Sequence, residues 1–284
     1  MSGISRLGIV GCGLMGSGIA EVAALRGLDV TVAESTPELA AAGRGRVTAS
    51  LDRGRRGKLT ETDRDQALAR LSFTHDVDEL ADRQFVVEAL AENREGKLEV
   101  FRQLDKVVTD PEAVLATNTS SIPVVDLAVA TGRASHVVGL HFFNPVPVQK
   151  LVEVVPALTT GADALARGFA GEQLGRTVVR APDRSGFVVN ALLVPYLLSA
   201  VRMVESGTAR AEDIDSGMEL GCAHPMGPLR LLDLIGLDTA QAVADSMYEE
   251  FKEPLYAAPP LLRRMVAVGH LGRKSGRGLY VYGA

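Results

Sequence analysis

The chain has 284 residues, 46% of them hydrophobic and 23% charged, which is length and composition for about two domains with real cores. A formal net charge of −5 leaves no basic surplus to attract a nucleic-acid backbone. Two cysteines, Cys12 and Cys222, are too few for a disulfide framework and form no Cys-x-x-Cys zinc motif.

The first apolar run, Arg6 to Val10, is rich in branched residues and predicts a buried strand. It follows the start of the chain with no signal peptide ahead of it, so the expectation is a soluble, cytoplasmic protein of a reducing compartment. The glycine cluster Gly11-Cys12-Gly13-Leu14-Met15-Gly16 comes next. From Met15 to Arg26, Ile19, Val22, Ala23 and Leu25 fall at helical spacings, and Gly27 stands where a helix-ending glycine belongs. Val30 to Ala33 reads as a second strand ending at Glu34. The stretch 37–71 reads as helix with a basic, polar surface. Phe85 to Val87 and Val114 to Ala116 are further strand-like runs, separated by the charged amphipathic segment 92–108.

Strands alternating with helices favour a parallel sheet with crossover helices. Two later runs, Val137 to Phe143 and Lys150 to Val155, are joined only by the proline-containing stretch 144–149. That is too short for a parallel crossover and predicts an antiparallel hairpin. Composition shifts near Ala181-Pro182-Asp183, after which long helical patterns dominate, from Val188 to Glu205 and from Leu229 to Glu250; the region 254–260 reads as a loop. The most apolar stretch, 191–201, is interrupted by Pro195 and Tyr196 and is too short to span a bilayer. The expected fold is α/β: a Rossmann-type, mostly parallel sheet domain over residues 1–183, followed by an all-helical domain over 184–284.

The glycine cluster has the G-x-G-x-x-G form, follows a strand and opens a helix, with the acidic Glu34 at the end of the next strand 18 residues on. In that setting Gly11 makes the tight turn, Gly13 lets backbone approach a pyrophosphate, and Gly16 lets helix pack on strand. The helix start at Leu14 and Met15 then offers N–H groups and positive potential to the phosphates. A carboxylate at Glu34 accepts from ribose hydroxyls and repels a 2′-phosphate. Ser35 and Thr36 bring no arginine to that phosphate, so NAD is expected over NADP.

His141 is the best general-base candidate of five histidines, since a neutral imidazole takes an alcohol proton near pH 7. Facing positions of an antiparallel hairpin have a constant sum of residue numbers. A turn centred on Pro147 sets Glu153 opposite His141, where a carboxylate fixes the imidazole tautomer and steadies the imidazolium. No other histidine has ligand-like neighbours, so no metal site is expected.

The run from His136 to Val155 reads HVVGLHFFNPVPVQKLVEVV, with Thr117-Asn118-Thr119-Ser120-Ser121 upstream. Gly186-Phe187-Val188-Val189-Asn190 and Pro225-Met226-Gly227-Pro228 follow, with VEALAEN at 87–93 and GRKSGRG at 272–278. In this combination and order, over nearly the whole chain, the sequence resembles the L-3-hydroxyacyl-CoA dehydrogenase family. Within it, the likeness is greatest to short bacterial members acting on 3-hydroxybutyryl-CoA.

The resemblance implies NAD-dependent, reversible oxidation of an L-3-hydroxyacyl-CoA to the 3-oxoacyl-CoA. It implies a catalytic His141–Glu153 pair, Ser120 and Asn190 at the reacting oxygen, and a homodimer formed through the C-terminal domain. Glu92, Lys97, Ser120 and Lys274 match cofactor-contacting positions. The spacing of Glu92 and Lys97 equally fits a solvated helix face, and Lys274 equally fits an exposed lysine. Ser50 and Lys58 match coenzyme A contacts, in a basic stretch with Arg44, Arg46, Arg53, Arg55 and Arg56 that also reads as a solvated helix. Gln149, Ser185 and Ala191 depart from the family's methionine, proline and arginine, which bears on acyl-chain or carrier preference more than on hydride chemistry. A relative acting on a carrier-protein-bound or free 3-hydroxy acid is the competing enzyme reading. A non-catalytic NAD-binding protein is the competing class, and retention of Ser120, His141, Glu153 and Asn190 together counts against it.

Overall fold

The structure is a computed structural model and describes residues 3–55, 57 and 59–283. It divides into two compact units, Met1–Asp183 and Arg184–Ala284.

The strands of the first unit are β1 (Arg6–Val10), β2 (Asp29–Ala33), β3 (Leu71–Thr74), β4 (Phe85–Glu88), β5 (Val114–Thr117), β6 (Val137–Phe142), β7 (Leu151–Pro156) and β8 (Thr177–Arg180). Its helices are α1 (Leu14–Leu25), α2 (Pro37–Arg55), α3 (Glu61–Ala69), α4 (Arg94–Val107), α5 (Val124–Ala128) and α6 (Asp163–Gly168). The strands form one eight-stranded sheet in the order β3-β2-β1-β4-β5-β6-β7-β8. Neighbours from β3 to β6 run parallel, β7 is antiparallel to β6, and β8 is parallel to β7. Strands covered on both faces need continuous apolar sequence, and β1, β4 and β5 supply it. The chain order reverses beside β1, so the loops leaving β1 and β4 diverge at their carboxyl ends. That is where α/β sheets bind ligands.

The segment 37–71 is not one helix. Thr60 caps a new helix, its hydroxyl accepting from the Asp63 N–H while the Asp63 carboxylate accepts from the Thr60 N–H, so α3 starts afresh. Leu71 then opens β3, which pairs with β2 from Val30 onward. β3 and β8 are short and only partly buried, so neither carries an apolar run.

The second unit holds α7 (Val189–Glu205), α8 (Ala211–Cys222), α9 (Pro228–Ile235), α10 (Leu237–Phe251) and α11 (Pro260–Ala267). Leu197, Leu198, Leu229, Leu232, Ala244 and Met247 are central to its core. The helical pattern from Leu229 to Glu250 is split at Gly236, whose φ of +103° is a left-handed conformation that ends α9. Two buried aspartates latch the C-terminal segment onto these helices. Asp215 accepts from the Leu229 N–H at 2.8 Å and the Tyr280 hydroxyl at 2.6 Å. Asp233 accepts from the Leu279 and Tyr280 N–H groups and the Tyr282 hydroxyl, each at 2.9 Å. Among the described residues, no helix is long and apolar enough to cross a membrane.

Candidate active site

The glycine loop sits between the ends of β1 and β2. Gly11 has φ +90°, and its N–H donates to the Ala33 carbonyl at 2.9 Å, tying the loop to the next strand. A Cβ on Gly16 would collide with the Gly11 carbonyl oxygen, whereas one on Gly13 would meet nothing within 4 Å. Close packing at the third glycine and open space at the second are what a bound pyrophosphate requires, so these residues fit a dinucleotide. Glu34 stands at the end of β2, and its carboxylate accepts from the Cys12 N–H at 2.5 Å. The acid is thereby fixed against the loop, at the position from which ribose hydroxyls are held. Arg46 of α2 donates from Nε to the Cys12 carbonyl at 2.8 Å, and Arg44 lies over the Phe73 ring. These members of the basic stretch are therefore not simply solvated.

The second cluster follows β4. Lys97 on α4 and Glu88 at the end of β4 are 1% and 0% exposed, and the Lys97 ammonium donates to both Glu88 oxygens, at 2.7 and 2.9 Å. Glu88 also accepts from the Thr117 hydroxyl and the Leu90 N–H. A solvated helix face is thus excluded for Lys97, which reaches inward to a buried acid. Glu92 lies 3.4 Å from the same ammonium. Its Oε1 accepts from the Thr119 hydroxyl at 2.5 Å, the Ser120 N–H at 2.9 Å and the Ser121 N–H and hydroxyl at 3.0 and 2.8 Å. Burial pushes the Glu92 carboxyl up, but the Lys97 charge and these hydrogen bonds outweigh it and hold it below the usual range. Glu92, Lys97 and Ser120 therefore come together, with Glu92 clasping the loop that carries Ser120. Glu88 is the residue the sequence reading missed; a charged side chain closing the apolar run Phe85-Val86-Val87 is the signal that points to it.

The third group is the β6–β7 hairpin. His141 faces Glu153 in register, and the His141 Nδ1 to Glu153 Oε2 distance is 2.7 Å. The histidine is 7% exposed and the glutamate fully buried. A carboxylate can only accept, so the shared proton sits on Nδ1 and the imidazole lone pair is on Nε2. The Phe143 ring lies 4.6 Å from the imidazole centroid. Asn118, one strand over, accepts from the Phe142 N–H at 3.0 Å, and its own N–H donates to the Glu88 carbonyl at 2.8 Å. The Ser120 loop, the acid–lysine cluster and the histidine strand are thus held in one hydrogen-bonded frame. Such a frame can orient a base, a hydroxyl donor and a phosphate-binding helix end around one small molecule.

Ser50 lines a groove between α1 and α2. Lys58 and Arg56 lie outside the described residues, as does the Arg55 side chain. Asn190 is the second residue of α7, and Lys274 donates to Asp238 at 2.6 Å, both in the second unit. Among the departures, the Ser185 N–H donates to Glu250 at 2.8 Å, a bond the family's proline cannot make. Gln149 is exposed at the end of the hairpin turn, and its carbonyl accepts from Arg176 at 3.0 Å.

Residues 6–184 match the family model described as 3-hydroxyacyl-CoA dehydrogenase, NAD binding domain, and residues 186–282 match 3-hydroxyacyl-CoA dehydrogenase, C-terminal domain. The chain is 59% identical over 282 residues to the 3-hydroxybutyryl-CoA dehydrogenase of Mycobacterium tuberculosis, covering 98% of this chain and 99% of that protein. The crystal structure of M. tuberculosis FadB2 matches with a TM-score of 0.98 at 58% identity, covering 99% of this chain and 100% of that one. That of (S)-3-hydroxybutyryl-CoA dehydrogenase from Ralstonia eutropha matches at 0.93 with 43% identity, covering 99% and 100%. Family models that meet end to end along the chain, and relatives alike over their full length, make one statement: this chain belongs to the 3-hydroxyacyl-CoA dehydrogenase family.

Proposed function

We propose that the chain catalyses the reversible NAD-dependent oxidation of L-3-hydroxybutyryl-CoA to acetoacetyl-CoA. The observation that carries this reading is the buried His141–Glu153 pair, braced through Asn118 to the loop of Ser120 on the sheet that bears the glycine loop. The names of the M. tuberculosis and R. eutropha relatives support the short-chain substrate.

NAD, held at Gly11, Gly13, Leu14, Met15, Gly16 and Glu34, supplies the hydride acceptor. The chain's own residues supply orientation and proton transfer. His141 takes the hydroxyl proton of the substrate at Nε2 as the carbonyl forms, and in reduction returns it. Glu153 keeps the proton on Nδ1 and stabilises the resulting imidazolium. The Ser120 hydroxyl hydrogen-bonds the reacting oxygen, and Glu92, with the Lys97 ammonium behind it, holds the Ser120 loop; Glu92 and Lys97 are assigned to the cofactor through the family resemblance. Asn190 is assigned to the same oxygen and Lys274 to the cofactor, both through the family resemblance. Ser50 and Lys58 are assigned to coenzyme A. Through the same resemblance, the C-terminal unit is assigned the interface of a homodimer, which a sedimentation mass of two chains checks.

The test is reduction of C4 to C16 3-oxoacyl-CoAs with NADH and with NADPH. Turnover highest at C4 with NADH is expected, and His141→Ala lowers kcat by about a hundredfold or more. Turnover of only a carrier-protein or free-acid substrate overturns the coenzyme A assignment, and a His141→Ala variant with normal kcat overturns the base.

A further inference from the structure

Glu88, at the end of β4, is fully buried and has no part in the chemistry above. Four hydrogen bonds converge on its two oxygens: one to each from the Lys97 ammonium, one from the Leu90 N–H at 2.6 Å and one from the Thr117 hydroxyl at 2.7 Å. The ionised carboxylate accepts all four. Burying such an ion pair costs the hydration of both partners, and apolar side chains of the same volume often hold a fold as well. A buried pair in this position points to a task other than packing.

The pair stands against the glycine loop. A Cβ on Gly11 would lie 2.7 Å from the Leu90 Cδ2 and 3.0 Å from the Ala89 carbonyl oxygen, so the turn that Glu88 holds through the Leu90 N–H packs directly on that loop. A dinucleotide crosses an α/β sheet where the strand order reverses, with one half on each side. The adenosine ribose belongs at Glu34 on the β2 side and the pyrophosphate at the glycine loop, so the nicotinamide half falls on the side of β4 and β5. That side carries Glu88, Lys97 and Glu92.

Here two carboxylates share one ammonium. Lys97 lies at 2.7 and 2.9 Å from the Glu88 oxygens and at 3.4 Å from Glu92, and among the described residues it is the one cation paired with either acid. Glu92 is held below the usual carboxyl range, so it is ionised at neutral pH. The cluster therefore carries one net negative charge. That charge rests on Glu92, whose side chain is 29% exposed while Glu88 and Lys97 are sealed behind it. The nicotinamide ring is a cation in NAD⁺ and neutral once it has accepted hydride. A fixed negative charge on its side of the sheet attracts the first form and is indifferent to the second. Contacts to the adenosine and pyrophosphate cannot make this distinction, because those groups are the same in both forms.

We propose that Glu88 sets the site's preference for the redox state of its cofactor: by neutralising Lys97 it leaves the Glu92 charge free to favour NAD⁺ over NADH. This rests on the placement of NAD given above, and the experiment separates the two. Titration calorimetry at neutral pH gives Kd for NAD⁺ and for NADH, and the readout is their ratio, because a merely structural loss raises both alike. Glu88→Gln keeps the shape and removes the excess charge, and is expected to raise the ratio of the NAD⁺ to the NADH Kd about fivefold. Glu92→Gln removes the same charge at the exposed acid, spares the buried pair and raises the ratio at least as much. Combining Glu88→Gln with Lys97→Met returns the cluster to one negative charge, and the ratio comes back to within about twofold of wild type. If Glu88→Gln does not fold, Glu92→Gln and the double variant carry the comparison. A ratio unmoved in a folded single variant overturns the proposal, as does a double variant whose ratio stays raised. Glu34→Gln checks the placement, since it is expected to weaken both forms by the same factor. Unchanged binding of both forms in that variant overturns the placement of NAD itself.

Discussion

Cys12 lies inside the glycine loop, fully buried, and burial pushes its thiol up to about 12, with Arg46 opposing and Glu34 adding to the shift. Almost no thiolate exists there near neutral pH, and the thiolate is the reactive form. Cys222 is exposed at the end of α8. Titration of the native protein with a thiol reagent should therefore modify one cysteine, and Cys222→Ser should remove that reaction until the chain is unfolded. Two fast-reacting thiols in the native protein would contradict the buried placement. Glu153 allows a sharper test, because the pair has one short bond and a fixed tautomer. Glu153→Gln keeps the shape but no longer demands the Nδ1 proton, so kcat should fall about a hundredfold while KM moves little. An unchanged kcat would remove the bracing role. His141 and Glu153 were legible as a pair because hairpin register is arithmetic. Lys97 was not, because helical spacing gives a face but cannot tell a solvated lysine from one reaching in to Glu88.

Strands and helices differed in legibility for physical reasons. β1, β4 and β5 are buried on both sides and announce themselves as apolar runs, whereas the half-exposed β3 and β8 depend on a neighbour for their conformation. The capped start of α3 was written in the sequence as Thr60 and Asp63, a capping pair hidden inside a stretch of uniform helical propensity. The break at Gly236 was likewise masked, because helical periodicity continues on either side of it. The β6–β7 hairpin has the most exacting packing, and Gly139 shows why. A Cβ there would stand 2.8 Å from the Val155 Cβ, 3.0 Å from Val124 Cγ2 and 3.2 Å from the Val155 carbonyl oxygen. Two of these atoms belong to the facing strand, so a methyl group must push β6 and β7 apart. Gly139→Ala should destabilise the protein by about 1–3 kcal/mol, read as a lower urea midpoint. Because Gly139 and His141 point to the same face of β6, activity should fall further than lost stability alone explains. A variant of wild-type stability would mean the strands absorb the methyl group without moving.

Stability of the whole molecule against pH is set in part by two glutamates shifted in opposite directions. Glu92 is held below its ordinary value of 4.5 by Lys97 and the hydrogen bonds of the Ser120 loop, which together outweigh its burial. The folded state therefore binds the Glu92 proton less readily than the unfolded state. Its contribution is full above pH 4.5 and is lost as pH falls through the lower folded value. Glu21 has the reverse sign. Burial raises its folded value above 4.5, so the group favours folding while protonated, and that advantage is lost as pH rises from 4.5 through the folded value. Urea unfolding from acid to neutral pH should separate them. Glu92→Gln should destabilise at neutral pH and approach wild type in acid. Glu21→Gln should stabilise at neutral pH and converge on wild type at the acid end, where its carboxyl is uncharged in both states. The two difference curves therefore have opposite signs at neutral pH, and each closes towards zero on the acid side. Curves displaced by a constant amount at every pH would show that packing, and not ionisation, separates the variants from wild type.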